Sequence, residues 1–250
     1  MKTADGKTKR IAALVLAAGK GKRFGGETPK QFLLLDEEPM LLYALDAIAP
    51  FADRILLVTS EEEIDRAEEI LRDAGLSSSV GVVAGGAERY ESSVKGLEAL
   101  AREGEFDYVL IHDAARCLLT EDVVGRTVEG VIRYGAVVAA IPSKDTVKTA
   151  ELTDGARRIL STPDRRSLLQ VQTPQAFRTD WITEAYRNAE KAGALSDLTD
   201  DASAVERFTD HPVYAVEGSE ENFKVTTPFD FMLAETVLTV RRMKRDAERN

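Results

Sequence analysis

Lys20, Lys22 and Arg23 fall within the string LAAGKGKRF at residues 16–24, and Lys30 follows in TPKQ at residues 28–31. Gly19 and Gly21 are interleaved with these cations. A glycine-rich turn lets the backbone approach a ligand and offers N–H groups to anionic oxygens. Arg grips a phosphate through two parallel hydrogen bonds, and Lys acts as a point charge. The combination suits a triphosphate held while negative charge builds on it. It does not suit a dinucleotide loop. Phe24 stands where the third glycine of G-x-G-x-x-G belongs, and no acidic residue ends a second strand at the spacing ribose recognition needs. No G-K-[ST] closes a Walker loop either. A lone G-x-G would read as an ordinary solvated turn, but Pro29-Lys30-Gln31 beside it argues for a site.

The elements that must position this loop alternate. Aliphatic runs at residues 11–17, 54–59, 80–84, 108–112 and 136–141 predict buried strands. Helical patterns fall between them at residues 39–49, 61–74, 88–102 and 121–134. Ser60, with Glu63 three residues on, reads as a capping box, Gly75 as its helix stop, and Thr120 as another N-cap. Such alternation predicts right-handed βαβ units and a mostly parallel sheet, with ligands beyond the strands' carboxyl ends. The loops after Ala17, Thr59, Ala84 and His112 are therefore the places for a site.

The pattern breaks at Pro142. Residues 143–150 (SKDTVKTA) and 156–162 (ARRILST) flank Asp154-Gly155, a hairpin signal. These strands are polar and carry little core, so residues 143–166 read as a projecting arm for dimerisation, the alternative being a solvent-exposed excursion. Residues 168–172 return to the sheet. Helices follow at 180–192 and 200–208, the latter capped by Thr199 or Asp200. Short strands are expected at 213–216 and 223–225, and a closing helix at 228–245 with Pro228 at its first turn. No linker divides the chain, so residues 10–240 are expected to form one domain with the arm inserted.

Composition bounds the function. Of 250 residues, 44% are hydrophobic and 30% charged, the profile of an ordinary globular protein. The net charge of −10 argues against general nucleic-acid binding. Residues 1–30 nevertheless carry eight Lys/Arg against two Asp/Glu, which suggests a local anionic ligand. No apolar run reaches the ~20 residues of a membrane span. Residues 11–18 match a signal segment in length only, and residues 1–9 read as a frayed tail. One cysteine, Cys117, forms no internal disulfide, and with two His it builds no zinc cluster. A reducing, cytoplasmic setting is expected.

Further motifs extend along the chain: GGAER at 85–89 with Ser92, HDAAR at 112–116, Asp145-Thr146 in the arm, QTPQ at 172–175, TDDAS at 199–203 and NFKVT at 222–226. LAAGKGKR with PKQ resembles the nucleotidyltransferases that activate sugar or polyol phosphates. Taken in order over residues 10–240, the set resembles the 2-C-methyl-D-erythritol 4-phosphate cytidylyltransferases of the non-mevalonate isoprenoid pathway. Ribitol-5-phosphate cytidylyltransferases share PKQ, HDA and TPQ but tend to have Ala-Gly-Gly where this chain has Ala17-Ala18-Gly19. The resemblance implies a Rossmann-like α/β nucleotidyltransferase sandwich with a mostly parallel central sheet and a projecting β-hairpin arm. It implies that CTP and a polyol phosphate are the partners, that Mg²⁺ is the cofactor, and that the chain is a homodimer through the arm, with no nucleic acid and no membrane involved.

The same resemblance assigns residues. Arg23, Lys30 and Lys224 would be catalytic cations. Ala17, Ala18, Gly19, Gly21, Gly86, Ala87, Ser92 and Asp113 would bind the nucleotide. Asp113, Arg116, Thr146 and Arg165 would bind the acceptor, the arm residues reaching it across a dimer interface. Asp113 ends an apolar strand and needs a partner; Mg²⁺, a polyol hydroxyl and Arg116 all qualify. His112 reads as a packed strand residue, since an ionised phosphate nucleophile needs no base. Gly85-Gly86 either admits a base or makes a plain turn, and Arg89 either caps or pairs with Glu88 or Glu91. Asp200, Asp201 and Ser203 are either ligands or a helix start favoured by the dipole. The departures are Cys117 for a usual Pro, Phe223 for Ile, and Phe229-Asp230-Phe231 for a more acidic helix start. A silent nucleotide-binding module would not need Arg23, Lys30 and Lys224 together, and Phe24 disfavours an NAD-dependent oxidoreductase.

Overall fold

Six aliphatic residues, all buried, make the central strand β1 (Ile11–Leu16). Its side chains alternate between two cores, as the two-residue period of a strand requires. Ile11, Ala13 and Val15 enter one core; Ala12, Leu14 and Leu16 enter the other. This computed structural model describes residues 9–19, 24 and 29–249. A two-residue pairing of β2 (Leu34–Leu35) with β3 (Glu38–Pro39) leads into α1 (Met40–Ile48). The alternation continues through β4 (Arg54–Thr59), α2 (Ile64–Asp73), β5 (Val80–Ala84), α3 (Arg89–Glu103), β6 (Tyr108–Asp113), α4 (Glu121–Tyr134) and β7 (Ala136–Pro142).

The hairpin β8 (Thr149–Thr153) and β9 (Ala156–Ser161) interrupts it, followed by β10 (Leu169–Arg178), α5 (Thr179–Lys191), α6 (Asp201–Phe208), β11 (Tyr214–Glu217) and α7 (Pro228–Arg249). The main sheet runs β11-β7-β10-β6-β1-β4-β5. Only β10 is antiparallel, to both β6 and β7, and the four other pairings are parallel. Helices α1, α2 and α4 cover one face, and α3, α5 and α6 the other. Gly96 lets α3 lie close to the sheet, because a Cβ there would fall 2.8 Å from Leu14 Cδ1. Helix α7 packs at one end with Leu35, Met40, Cys117 and Val225. Register sets Leu16 beside both Val58 and Asp113, so the carboxyl ends of β1, β4 and β6 lie level.

Asp154 and Gly155 both take positive φ, 49° and 79°, as a two-residue hairpin turn requires. Both strands of the hairpin are exposed throughout and pair only with each other. Several expectations need correction. Residues 223–225 form no strand, although Val225 N–H bonds Ala115 O at 2.8 Å. Strand β10 continues past residue 172 to Arg178, and α7 continues past residue 245 to Arg249. Ser60 and Thr120 have extended backbones at their helix starts, but neither side chain makes a capping bond. Asp200, rather than Thr199, caps α6: its carboxylate accepts from Ser203 N–H at 2.9 Å. Lys9 is not frayed but ion-pairs with Asp107 at 2.8 Å, while residues 1–8 lie outside the described residues. No helix among the described residues is long and apolar enough to cross a membrane.

Candidate active site

The loops after β1, β5 and β6 end at one cleft. Ala17, Ala18 and Gly19 line it after β1, Gly86 and Ala87 after β5, Ser92 from the start of α3, and Asp113 from the end of β6. Lys30 and Lys224 line it too. The loop after Thr59, expected to contribute, does not. Lys20, Gly21, Lys22 and Arg23 lie outside the described residues. Arg116, Thr146 and Arg165 do not line this cleft. Arg116 Nη1 donates to Asn222 O at 2.8 Å, Arg165 Nη1 donates to Lys144 O at 3.0 Å, and Thr146 is exposed on the arm.

The PKQ motif acquires a mechanical role. Gln31 and Phe32 are buried in the short turn Lys30–Phe32. Gln31 Nε2 donates to Ala17 O at 2.5 Å, tying that turn to the end of β1. Lys30 is thereby anchored at its backbone, and its Nζ donates to Val225 O at 2.5 Å. Lys224 precedes that carbonyl, so Lys30 is tied to the strip of chain that carries the second lysine.

Asp113 is the electrostatic hub. Its Oδ1 accepts from Arg89 Nε at 3.0 Å and its Oδ2 from Lys224 Nζ at 2.6 Å. Burial disfavours its charge, but Arg89 and Lys224 outweigh burial and hold its carboxyl well below the usual range. The expected partner Arg116 is not the one chosen, and Arg89 pairs with neither Glu88 nor Glu91. Arg89 joins Asp113 to Asp201 instead, which no local sequence signal announces. Thr173 Oγ1 accepts from Asp113 N–H at 3.1 Å and lies 3.0 Å from His112 Nδ1.

His112 is fully buried, and burial pushes its pKa down to about 4. The unfolded chain therefore takes up a proton, near pH 6.5, that the folded chain refuses until about pH 4. A depressed histidine pKa makes stability fall as pH drops through that window. Urea denaturation between pH 7 and pH 4 is expected to show a loss of roughly 3 kcal/mol that His112→Asn lacks. Equal slopes in the two proteins would mean that His112 is protonated in the fold.

The turn after β5 is held from within. Gly86 N–H donates to Ser92 Oγ at 3.1 Å, and Ala87 N–H donates to Glu91 Oε2 at 2.7 Å. Glu91 also completes the capping box of α3 with Glu88. A Cβ at Gly86 would fall 2.2 Å from Glu91 Cβ, so glycine is needed here by the cap itself. Glu91 was expected only as a partner for Arg89, and the sole trace of its capping role is its N3 spacing from Glu88.

The geometry matches known proteins. A family model described as 2-C-methyl-D-erythritol 4-phosphate cytidylyltransferase matches residues 11–240. A protein of that description from Geotalea uraniireducens is 42% identical over 232 residues, covering 92% of this chain and 97% of the relative. One from Lachnoclostridium phytofermentans is 40% identical, covering 92% and 96%. Among solved structures, the 4-diphosphocytidyl-2C-methyl-D-erythritol synthase from Anaerococcus prevotii is similar with TM-score 0.76 and 30% identity, covering 92% of this chain and 99% of that one. The 2-C-methyl-D-erythritol 4-phosphate cytidylyltransferase from Thermus thermophilus gives 0.71 and 29%, covering 91% and 98%.

Proposed function

This chain belongs to the 2-C-methyl-D-erythritol 4-phosphate cytidylyltransferase family, and from that premise we propose that its cleft binds CTP for transfer to 2-C-methyl-D-erythritol 4-phosphate. A phosphate oxygen of the acceptor forms a bond to the α-phosphorus of CTP. The bond from that phosphorus to the bridging oxygen breaks, and pyrophosphate leaves with the electron pair. The product is 4-diphosphocytidyl-2-C-methyl-D-erythritol, a precursor in isoprenoid biosynthesis. The observation that carries this reading is that Lys30 Nζ bonds the strip that carries Lys224, while Lys224 Nζ bonds Asp113 at the carboxyl end of β6.

The attacking oxygen is ionised already, so catalysis is positioning and charge stabilisation. Lys30 and Lys224 meet the charge that grows on the triphosphate, with Arg23 as the third cation. Asp113 keeps Lys224 aimed. Ala17, Ala18 and Gly19 take the nucleotide from the β1 side, with Gly21 beyond them. Main-chain groups of Gly86 and Ala87, braced by Ser92, face the cytosine, whose amino group distinguishes it from uracil.

The donor set fits a Mg²⁺ carried by CTP. Magnesium is commonly held by one or two carboxylates together with substrate phosphates. Among the described residues no three His, Cys, Asp or Glu converge, and the carboxylates lining the cleft are Glu88 and Asp113. Bound there, Mg²⁺ supplies neutralisation of charge on the phosphate oxygens.

The acceptor's phosphate falls to Arg116 and, across a homodimer interface, to Thr146 and Arg165 of a second copy. Two features support the exchange. The arm's Leu152, Ile159 and Leu160 are more than half exposed, at 71%, 55% and 54%. Thr146 and Arg165 also stand away from the cleft of their own chain. Loss of a hydrogen bond to a charged group costs about tenfold or more in affinity. Arg165→Ala is thus expected to raise the acceptor KM about tenfold and leave CTP binding intact. An unchanged acceptor KM would separate the arm from the site. A cytoplasmic setting belongs to the same proposal, consistent with the buried free Cys117.

Pyrophosphate release tests the function, measured with CTP and either methylerythritol phosphate or ribitol phosphate. Turnover with the former is expected. Turnover with ribitol phosphate alone would reassign the acceptor, and CTP binding with no turnover would contradict the enzyme.

A further inference from the structure

Helix α6 stands outside the cleft, yet one of its side chains reaches the cleft through another. Asp201 is fully buried. Its Oδ1 accepts from Ser93 Oγ at 2.7 Å and from Tyr186 OH at 2.6 Å. Its Oδ2 lies 2.7 Å from Arg89 Nη2, an ion pair. Arg89 Nε meets Asp113, whose second oxygen meets Lys224. Charges therefore alternate along Asp201, Arg89, Asp113 and Lys224. The helix that carries Asp201 is itself fixed. Gln175 Oε1 accepts from Ala202 N–H at 2.9 Å, and Gln175 Nε2 donates to Asp200 Oδ2 at 2.7 Å.

We propose that Asp201 is a positioning residue for cytidylyl transfer: its charge clamps Arg89 so that Asp113 remains free to aim Lys224 into the cleft. The inference rests on the reading of the cleft as the transfer site. Arg89 shared between two carboxylates leaves Asp113 able to hold a second cation. With Asp201 uncharged, the guanidinium falls wholly on Asp113 and competes with Lys224 for it. The TPQ and TDDAS motifs then have a purpose without touching a ligand. Thr173 fixes the backbone of Asp113, Gln175 docks α6, and Asp201 works through Arg89.

The test is Asp201→Asn, which keeps an acceptor for Ser93 and Tyr186 but removes the charge. Misplacement of a reacting group by a remote substitution can cost up to about 10²-fold; here kcat is expected to fall about tenfold, with the KM for CTP within about threefold. Arg89→Lys, unable to span both carboxylates, is expected to cost about tenfold as well. The double variant should also lose about tenfold, since residues acting as one unit are not additive. A crystal structure of Asp201→Asn should show Arg89 shifted further onto Asp113 and Lys224 displaced from it. A merely structural aspartate would lower the melting temperature and give multiplicative kinetic losses. The proposal is overturned by a kcat within twofold of the parent, by a double variant about 10²-fold down, or by unmoved Arg89 and Lys224 in the crystal. If Asp201→Asn does not fold, Ser93→Ala with Tyr186→Phe loosens Asp201 without uncharging it. At least a threefold loss of kcat is expected then, and an unchanged kcat overturns the clamp. If the parent protein shows no cytidylyl transfer, the functional reading fails and the crystallographic contacts alone decide.

Discussion

Lys30→Ala is expected to lower kcat for cytidylyl transfer by at least about 10²-fold while leaving the melting temperature nearly unchanged. A preorganised group aimed at developing charge is worth about 10²–10³ in kcat. Lys30 is half-buried, where a charge acts more strongly than in water. Its backbone is held by the buried neighbours Gln31 and Phe32, so truncating the side chain leaves the turn in place. The bond to Val225 O is lost, together with any contact with the nucleotide. Lys30→Arg keeps the charge and should recover part of the rate. Steady-state kinetics with saturating CTP decide this, and a kcat within threefold of the parent would remove Lys30 from the catalytic set.

Asp113→Asn carries the second large expectation, because it strikes rate and stability together. Asp113 is 7% exposed and faces two cations. Removing one partner of a buried ion pair costs about 3–5 kcal/mol. The lower end applies here, since the Arg89 and Lys224 side chains retain 28% and 37% exposure. Lys224 loses its aim, so kcat should fall about 10²-fold. The pH dependence has a definite sign. A carboxyl whose folded pKa is depressed stabilises the fold fully above its unfolded value, about 3.9, and loses that contribution as pH falls towards the folded value. The stability gap between parent and Asp113→Asn is therefore expected to stay level from pH 6 to pH 5. It should narrow by about 1 kcal/mol by pH 3. The comparison is made in a His112→Asn background, because Asp113 raises the pKa of His112 and the histidine would not cancel. A gap as wide at pH 3 as at pH 6, measured by urea denaturation, would show that Asp113 is not held ionised by its neighbours.

The elements that position the cleft were legible where a single physical signal dominated. β4, β5 and α4 fall at their expected bounds, because buried strands are aliphatic runs and α4 shows a clear helical period before the left-handed Gly135. The hairpin followed from Asp154-Gly155 alone. The direction of β10 did not, since a strand buried on both faces reads alike whether parallel or antiparallel. Residues 223–225 look like a strand by composition, but Val225 finds only an isolated backbone partner.

At the site, nine of the residues picked out by motif line one cleft: Ala17, Ala18, Gly19, Lys30, Gly86, Ala87, Ser92, Asp113 and Lys224. The partner of Asp113 was not legible. Arg89 is 24 residues away and Lys224 is 111, and side-chain pairing at such separations leaves no period in a sequence. Arg116, only three positions on, was the natural guess, yet its guanidinium turns to Asn222 O. Gly86, read as either admitting a base or making a plain turn, has a further reason to be glycine. It clears Glu91, whose carboxylate shapes the turn after β5.

A crystal structure with CTP and Mg²⁺ bound tests the central claim most directly. The account predicts cytosine against Gly86, Ala87 and Ser92, the triphosphate between Lys30 and Lys224, and its α-phosphorus open to the acceptor side. Nucleotide bound elsewhere, with these two lysines more than a hydrogen-bond length from any phosphate oxygen, would contradict it.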